Sequence, residues 1–186
     1  MGSASRGSGR PPTFGPNDVL AAAVSVIDQE GVSKCTLRAV ARELDVTPMA
    51  LYRHIDSKDD LLERVPDYLA ADIVSLVGGA IDGVGALRQV AVGLTAVLEQ
   101  HPRAAPLFSQ PRMGPHMRET ADIVVERFEV EGVSRLRAGG LLRATVALVV
   151  GLFTGGGQTA EVELGAVAQD AIEIWLSGVA LHTDSP

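Results

Sequence analysis

The chain has 186 residues, 46% of them hydrophobic and 4% aromatic, a net charge of −7 and one cysteine, Cys35. So much apolar content excludes a disordered chain, and one cysteine excludes an internal disulfide and argues against a cysteine-based zinc site. A core of Ala, Val, Leu and Gly suits helices packed on helices.

The acidity is uneven. Residues 1–65 hold eight Lys/Arg against nine Asp/Glu, whereas residues 66–186 hold eight against fourteen. Between 34 and 54 there are four cations (Lys34, Arg38, Arg42, Arg53) and two anions (Glu43, Asp45). Any contact with nucleic acid is therefore expected to be local and N-terminal.

The first ten residues are rich in Gly, Ser and Arg and lack the apolar run of a signal peptide. Residues 1–15 are read as a flexible N-terminal arm, with Arg6 and Arg10 as tail residues without a role; the alternative is that they reach a minor groove. The longest apolar stretch, residues 138–153, is interrupted by Arg143 and is shorter than the roughly 20 residues of a membrane span. It is expected to be a buried helix, and the protein to be cytoplasmic, with no membrane partner.

Helical periodicity recurs along the chain, and no strand-like alternation appears. Asn17 is the expected cap of a first helix, whose stripe is Val19, Leu20, Ala23, Val24 and Ile27 and whose stop is Gly31. Thr36 caps a second, with Leu37, Val40, Ala41 and Leu44 at i, i+3, i+4, i+7. Two residues, Asp45 and Val46, separate it from Thr47-Pro48, a cap followed by a proline at the first helical position. A third helix is expected over 48–54. Ser57 caps a fourth, with Asp60 three residues on, and Pro66 is expected to kink or break it.

Helix then continues over 67–77, and Gly78-Gly79 and Gly83–Gly85 are read as a loop. Further helices are expected over 86–100, 117–129, 135–153 and 161–181. The stretch 106–115 is read as a loop or short turn, and the glycines 155–157 as the break before the last helix.

Two short helices joined by a tight turn form a helix-turn-helix, sized for the ~12 Å major groove. Leu37, Val40, Ala41, Leu44, Val46, Leu51 and Ile55 face inward by spacing. Thr47, Met49, Ala50, Tyr52, Arg53 and His54 are left outside. Tyr52 has a second reading, as a seal on the small core, and Arg42 reads as an ordinary solvated charge.

"TLRAVARELDVTPMALYRHIDSKDDLL", residues 36–62, resembles the signature of the tetracycline-repressor (TetR) family. The usual Leu-Gly-Val turn is here Leu44-Asp45-Val46, and Asp tolerates the left-handed conformation better than most residues. The resemblance implies an all-α fold. An N-terminal three-helix DNA-binding domain (16–65) would carry the helix-turn-helix, and a C-terminal helical domain (66–183) would bind ligand and dimerise.

It also implies roles. Arg38 would reach a guanine edge or a phosphate, and Thr36, Thr47 and Lys58 would contact phosphate. Met49 and Ala50 would lie on thymine methyls, and Tyr52 and His54 would hold the backbone. At Pro48 and Ala50 a tetracycline repressor would be more polar. Specificity is thus expected to lean on Arg38, methyl contacts and DNA shape.

"HPRAAPLFSQPRMGPHMRET" (101–120) and "AGGLLRATVALVVGLFTGGG" (138–157) resemble the tetracycline-binding subgroup. By that match Phe108, Arg112, Met113 and Met117 line a cavity, and Phe108 replaces a magnesium-binding histidine. Helical spacing adds Leu94, Leu98, Phe128, Leu148 and Leu152. His116 and His101 would bond a ligand or a backbone carbonyl. No metal and no cofactor are expected, and the effector would be small and hydrophobic or aromatic.

The expected function is a ligand-responsive transcriptional repressor, a homodimer on a palindromic double-stranded operator. The alternative is a ligand-binding or protein-interaction module with a vestigial helix-turn-helix. An enzyme is not expected: there is no Glu-x-x-His pair, no Ser/His/Asp grouping and no phosphate-cradling loop.

Overall fold

The computed structural model describes residues 14–109, 112–155 and 164–183. Arg6, Arg10 and most of the expected arm lie outside the described residues, as do Gly156 and Gly157. Nine α-helices follow one another with no strand among the described residues, and the fold is all-α.

α1 (Pro16–Glu30), α2 (Leu37–Glu43), α3 (Pro48–Leu51) and α4 (Lys58–Leu69) form a small head. α5 (Ile73–Gly78), α6 (Gly83–Gln100), α7 (Pro115–Val130), α8 (Arg135–Gly155) and α9 (Leu164–Thr183) form the body. Each has its own hydrophobic cluster. Val19, Ile27, Val40, Leu51, Ile55 and Leu61 centre the first, and Leu87, Leu98, Phe128, Val149 and Leu176 the second.

The caps explain where the helices begin. Thr36 Oγ1 accepts from Ala39 N–H at 3.2 Å, and Ser57 Oγ accepts from Asp60 N–H at 3.0 Å. α1 starts two residues earlier than Asn17 would place it. Pro16 takes the first helical position after Gly15, and the Asp18 carboxylate accepts from Gly15 N–H at 2.7 Å.

Three expectations fail for tertiary reasons. Pro66 does not break α4; it lies inside the helix, buried, and the helix ends three residues later at Leu69. A proline removes one intrahelical donor, and packing around Pro66 and Asp67 offsets that loss. The helix instead pauses over 70–72 before α5.

Gly83–Gly85 is not a loop but the first turn of α6, capped by Asp82, whose carboxylate accepts from Gly85 N–H at 2.6 Å. Gly83 is there because a Cβ would stand 2.4 Å from the Phe128 ring. Of the stretch 106–115 read as a loop or short turn, 112–114 are irregular, but 106–109 belong to a 3₁₀-helix (Pro102–Ser109).

That 3₁₀ segment joins the two clusters. With three residues per turn, Ala104 and Leu107 share one side and enter the head's core, while Ala105 and Phe108 enter the body's.

α8 is not a wholly buried helix. It is long and apolar enough to cross a membrane by length and composition, and within the chain only 22% of that window is buried. It packs against α6, α7 and α9, and Trp175 of α9 donates its indole N–H to Thr145 Oγ1 at 2.9 Å.

Candidate nucleic-acid interface and effector cavity

Local rules shape the outer face of the head. After α2, Asp45 adopts φ 53°, the left-handed conformation that lets two residues reverse the chain. Val46 N–H donates to Ala41 O at 2.9 Å, which closes the turn. Thr47 caps α3 through its backbone, with its carbonyl accepting from Ala50 N–H at 2.9 Å, while its hydroxyl makes no cap bond. α3 is shorter than the expected 48–54. Residues 52–54 continue as turns, and His54 N–H and Ile55 N–H both donate to Leu51 O, at 2.9 and 3.1 Å.

The apolar positions divide as their spacing requires. Val40, Ala41, Leu51 and Ile55 are buried, and Leu37, Leu44 and Val46 are half-buried. Met49 is 77% exposed and Tyr52 53% exposed, so Tyr52 does not seal the core. Thr36, Arg38, Thr47, Pro48 and Arg53 are exposed, and Ala50, His54 and Lys58 are half-buried. All ten lie on or around α2, α3 and the start of α4.

Arg38 and Arg53 have no hydrogen-bond or ion-pair partner among the described residues. Arg42, by contrast, pairs with Glu30 at 3.3 Å. His54 meets Phe14 edge to face at 5.1 Å, and Lys58 Nζ lies 3.5 Å from Ser33 O. Burial pushes the Cys35 thiol up, the Lys58 charge acts the other way, and Cys35 is left neutral inside the head's core.

The body contains a cavity of about 750 Å³ between α5, α6, α7, α8 and the 3₁₀ segment. Leu94, Phe108, Met113 and Met117 line it, as does Ala70 at the end of α4. The other expected lining residues do not. Leu98 and Phe128 are fully buried in the core, Phe128 against Gly83. Leu148 packs on the body's cluster, and Leu152 is half-buried off the wall. Arg112 and His116 turn toward α4. Arg112 pairs with Glu63 at 2.8 Å, and His116 Nδ1 lies 2.8 Å from Asp67 Oδ2.

Spacing on α7 and α8 reaches the wall at places the sequence reading passed over: Thr120, Val125, Leu142, Arg143, Val146 and Val150. A one-sided stripe could have found them, but α8 is apolar nearly all round and gives no such stripe.

Contacts between head and body were not legible at all. The Asp67 carboxylate, 7% exposed, holds His116 with one oxygen and accepts from Met117 N–H with the other, at 2.9 Å. It thereby caps α7 from a neighbouring helix. Gly114 makes room, since a Cβ there would stand 2.2 Å from Asp67. At the other end of the junction, His101 Nδ1 lies 2.7 Å from Asp28 Oδ2, and the Arg103 guanidinium donates to the Asp28 and Gln29 carbonyls at the end of α1.

Comparison with known proteins bears on the head first. Residues 19–65 match the family of bacterial regulatory proteins described as the tetR family. An HTH-type transcriptional regulator of Saccharopolyspora erythraea is 27% identical over 125 residues, 67% of this chain and 53% of that protein, so the chain spans about half that relative's length.

In fold, the chain resembles a TetR variant from Acinetobacter baumannii AYE solved in complex with minocycline. The TM-score is 0.79 at 22% identity, over 93% of this chain and all of that one. BioQ solved with its double-stranded DNA operator gives a TM-score of 0.65 at 25% identity, over 91% of this chain and all of that one. Residues 19–65 thus match the tetR family of bacterial regulatory proteins, and the nine described helices share the fold of solved TetR proteins.

Proposed function

We propose that the protein is a ligand-responsive repressor that binds a palindromic double-stranded DNA operator as a homodimer. The observation that carries this reading is the outer face of α2 and α3, where Arg38 and Arg53 stand unpartnered beside exposed Met49 and Tyr52. A guanidinium without a protein partner is available to guanine or phosphate, and an exposed thioether and phenol suit thymine methyls and the sugar-phosphate backbone. Residues 16–65 are the DNA-reading domain in this proposal, and Thr36, Thr47, Pro48, Ala50, His54 and Lys58 complete the face. The structure of BioQ with its double-stranded DNA operator is in keeping with it.

Residues 66–183 are the effector and dimer domain in the same proposal. Leu136, Ile174 and Leu181 are exposed on α8 and α9, and most of α8 is not covered within one chain. A second copy covers such surface and sets two reading heads about one DNA turn, ~34 Å, apart.

The effector is a small hydrophobic molecule in the cavity. The A. baumannii TetR variant holds minocycline. Here the described wall has no His, Asp, Glu or Cys side chain, and Phe108 offers no donor atom, so the proposed effector binds without a metal bridge. The cavity touches the head through Ala70, through Phe108 beside Leu107, and through Met117, whose backbone Asp67 holds. An occupant that displaces these groups shifts the spacing of the two heads.

Fluorescence anisotropy with duplex DNA flanking the gene tests the reading. Binding is expected to be sequence-dependent and to weaken steeply with salt. Arg38→Ala is expected to lower affinity by about tenfold to a hundredfold. Sedimentation should give about twice 19.4 kDa. Binding that ignores sequence and survives Arg38→Ala and Tyr52→Ala would overturn it.

A further inference from the structure

We propose that the effector is an organic acid: an apolar body with an anionic group that pairs with Arg143. This rests on the reading of the body's cavity as the effector site. Nineteen of the described residues line that cavity, none of them Asp or Glu, and Arg143 is the one charged side chain among them. Apart from Ser109, Thr120 and Thr154, the remaining wall is aliphatic, aromatic, thioether or glycine.

Arg143 is also one of the body's few unengaged arginines. Arg88, Arg103, Arg112, Arg118 and Arg135 each hold a carboxylate or a carbonyl. Arg137 has a partner as well. Of the described body arginines, only Arg127 and Arg143 have none, and Arg127 does not reach the cavity.

Helix geometry aims the side chain along the wall. On α8, Gly139, Arg143, Val146, Ala147 and Val150 recur at three- and four-residue steps and share the cavity face. Long helical side chains lean toward the N-terminus, over the preceding turn. There Gly139 has no side chain, and Nη1 of Arg143 lies 3.6 Å from where a Cβ would stand. The guanidinium thus lies over a glycine-made gap.

Arg143 is exposed on the rim side of this wall, and its fork matches a carboxylate with two parallel hydrogen bonds while the apolar wall takes the rest of the molecule. A cationic effector would meet repulsion and no carboxylate on that wall. Arg143 is exposed, so a neutral apolar effector would leave its charge to water and gain nothing from it.

Displacement of the uncharged fluorophore N-phenyl-1-naphthylamine from the full-length protein tests the assignment. Two matched pairs serve as probes, decanoate with 1-decanol and 1-naphthoate with 1-naphthol, at mildly alkaline pH where both acids are ionised. In at least one pair the acid is expected to displace the dye at about tenfold lower concentration than its alcohol. Arg143→Met and Arg143→Gln should each abolish that preference and leave the alcohol's affinity unchanged.

Equal potency of acid and alcohol in both pairs overturns the proposal, as does a preference that survives both variants. The pocket-filling variant Ala121→Trp tells the two readings apart. If the alcohols bind, Ala121→Trp blocks them and the acids do no better, the cavity reading stands and the acid assignment falls. If Ala121→Trp leaves all binding unchanged, or no probe binds, the cavity reading itself falls, and the acid assignment with it.

Discussion

The head and the body solve different packing problems. The head buries a closed core of Val19, Ile27, Val40, Leu51, Ile55 and Leu61 and keeps Arg38 and Arg53, unpaired among the described residues, outside. The body leaves a cavity of about 750 Å³, open on one side, and Arg143, exposed and unpaired among the described residues, lies on its wall. On the proposed function, the closed head reads DNA and the hollow body receives the effector. In the proposed function, the contacts lie in uncompensated groups rather than in the groups that stabilise the fold.

The contrast is broken most directly by truncating the body's largest fully buried side chain. Phe128→Ala should cost about 3–5 kcal/mol in denaturant unfolding, because the ring packs on Gly83 and leaves a void when it is removed. Trp175, the single tryptophan, reports on the body. The 3₁₀ segment places Ala104 and Leu107 in the head's core, so helical circular dichroism and Trp175 fluorescence should shift together. A tryptophan transition that moves alone would mean that the two regions unfold independently.

A smaller effect sharpens the junction between them. Asp67→Asn keeps the shape but removes the charge that holds His116 and the Met117 amide, and about 1–3 kcal/mol should be lost. If stability by thermal melting were unchanged, Asp67 would not be tying the head to the body.

The smallest effect lies in the head alone. Asp45 sits at φ 53° in the turn before α3, and Asp45→Gly should leave stability unchanged or raise it by up to about 1 kcal/mol. A clear loss would mean that the Asp side chain contributes more than backbone tolerance.

The head was more legible than the body. Thr36 and Ser57 cap the helices they were expected to cap, and the stripe Val19, Leu20, Ala23, Val24, Ile27 is buried as spaced. In the body, Leu94, Phe108, Met113 and Met117 reach the cavity wall, while Leu98 and Phe128 lie in solid core. Helical spacing marks a residue as inward-facing, but a cavity wall and a packed core both face inward.

Sequence alone determined the all-helical class, the helix-turn-helix with an Asp45 that tolerates its left-handed turn, and the outward placement of Met49 and Arg53, while Tyr52 was left open. Each of these follows from interactions within about four residues of chain: a cap, a turn dihedral, a helical repeat. Only the tertiary structure decided that Pro66 stays inside α4, that Gly83 and Gly114 yield space to Phe128 and Asp67, and that Arg143 faces an apolar hollow. Those outcomes depend on atoms brought together from dozens of residues apart, and no local periodicity encodes which distant side chain will fill, or leave empty, a given space.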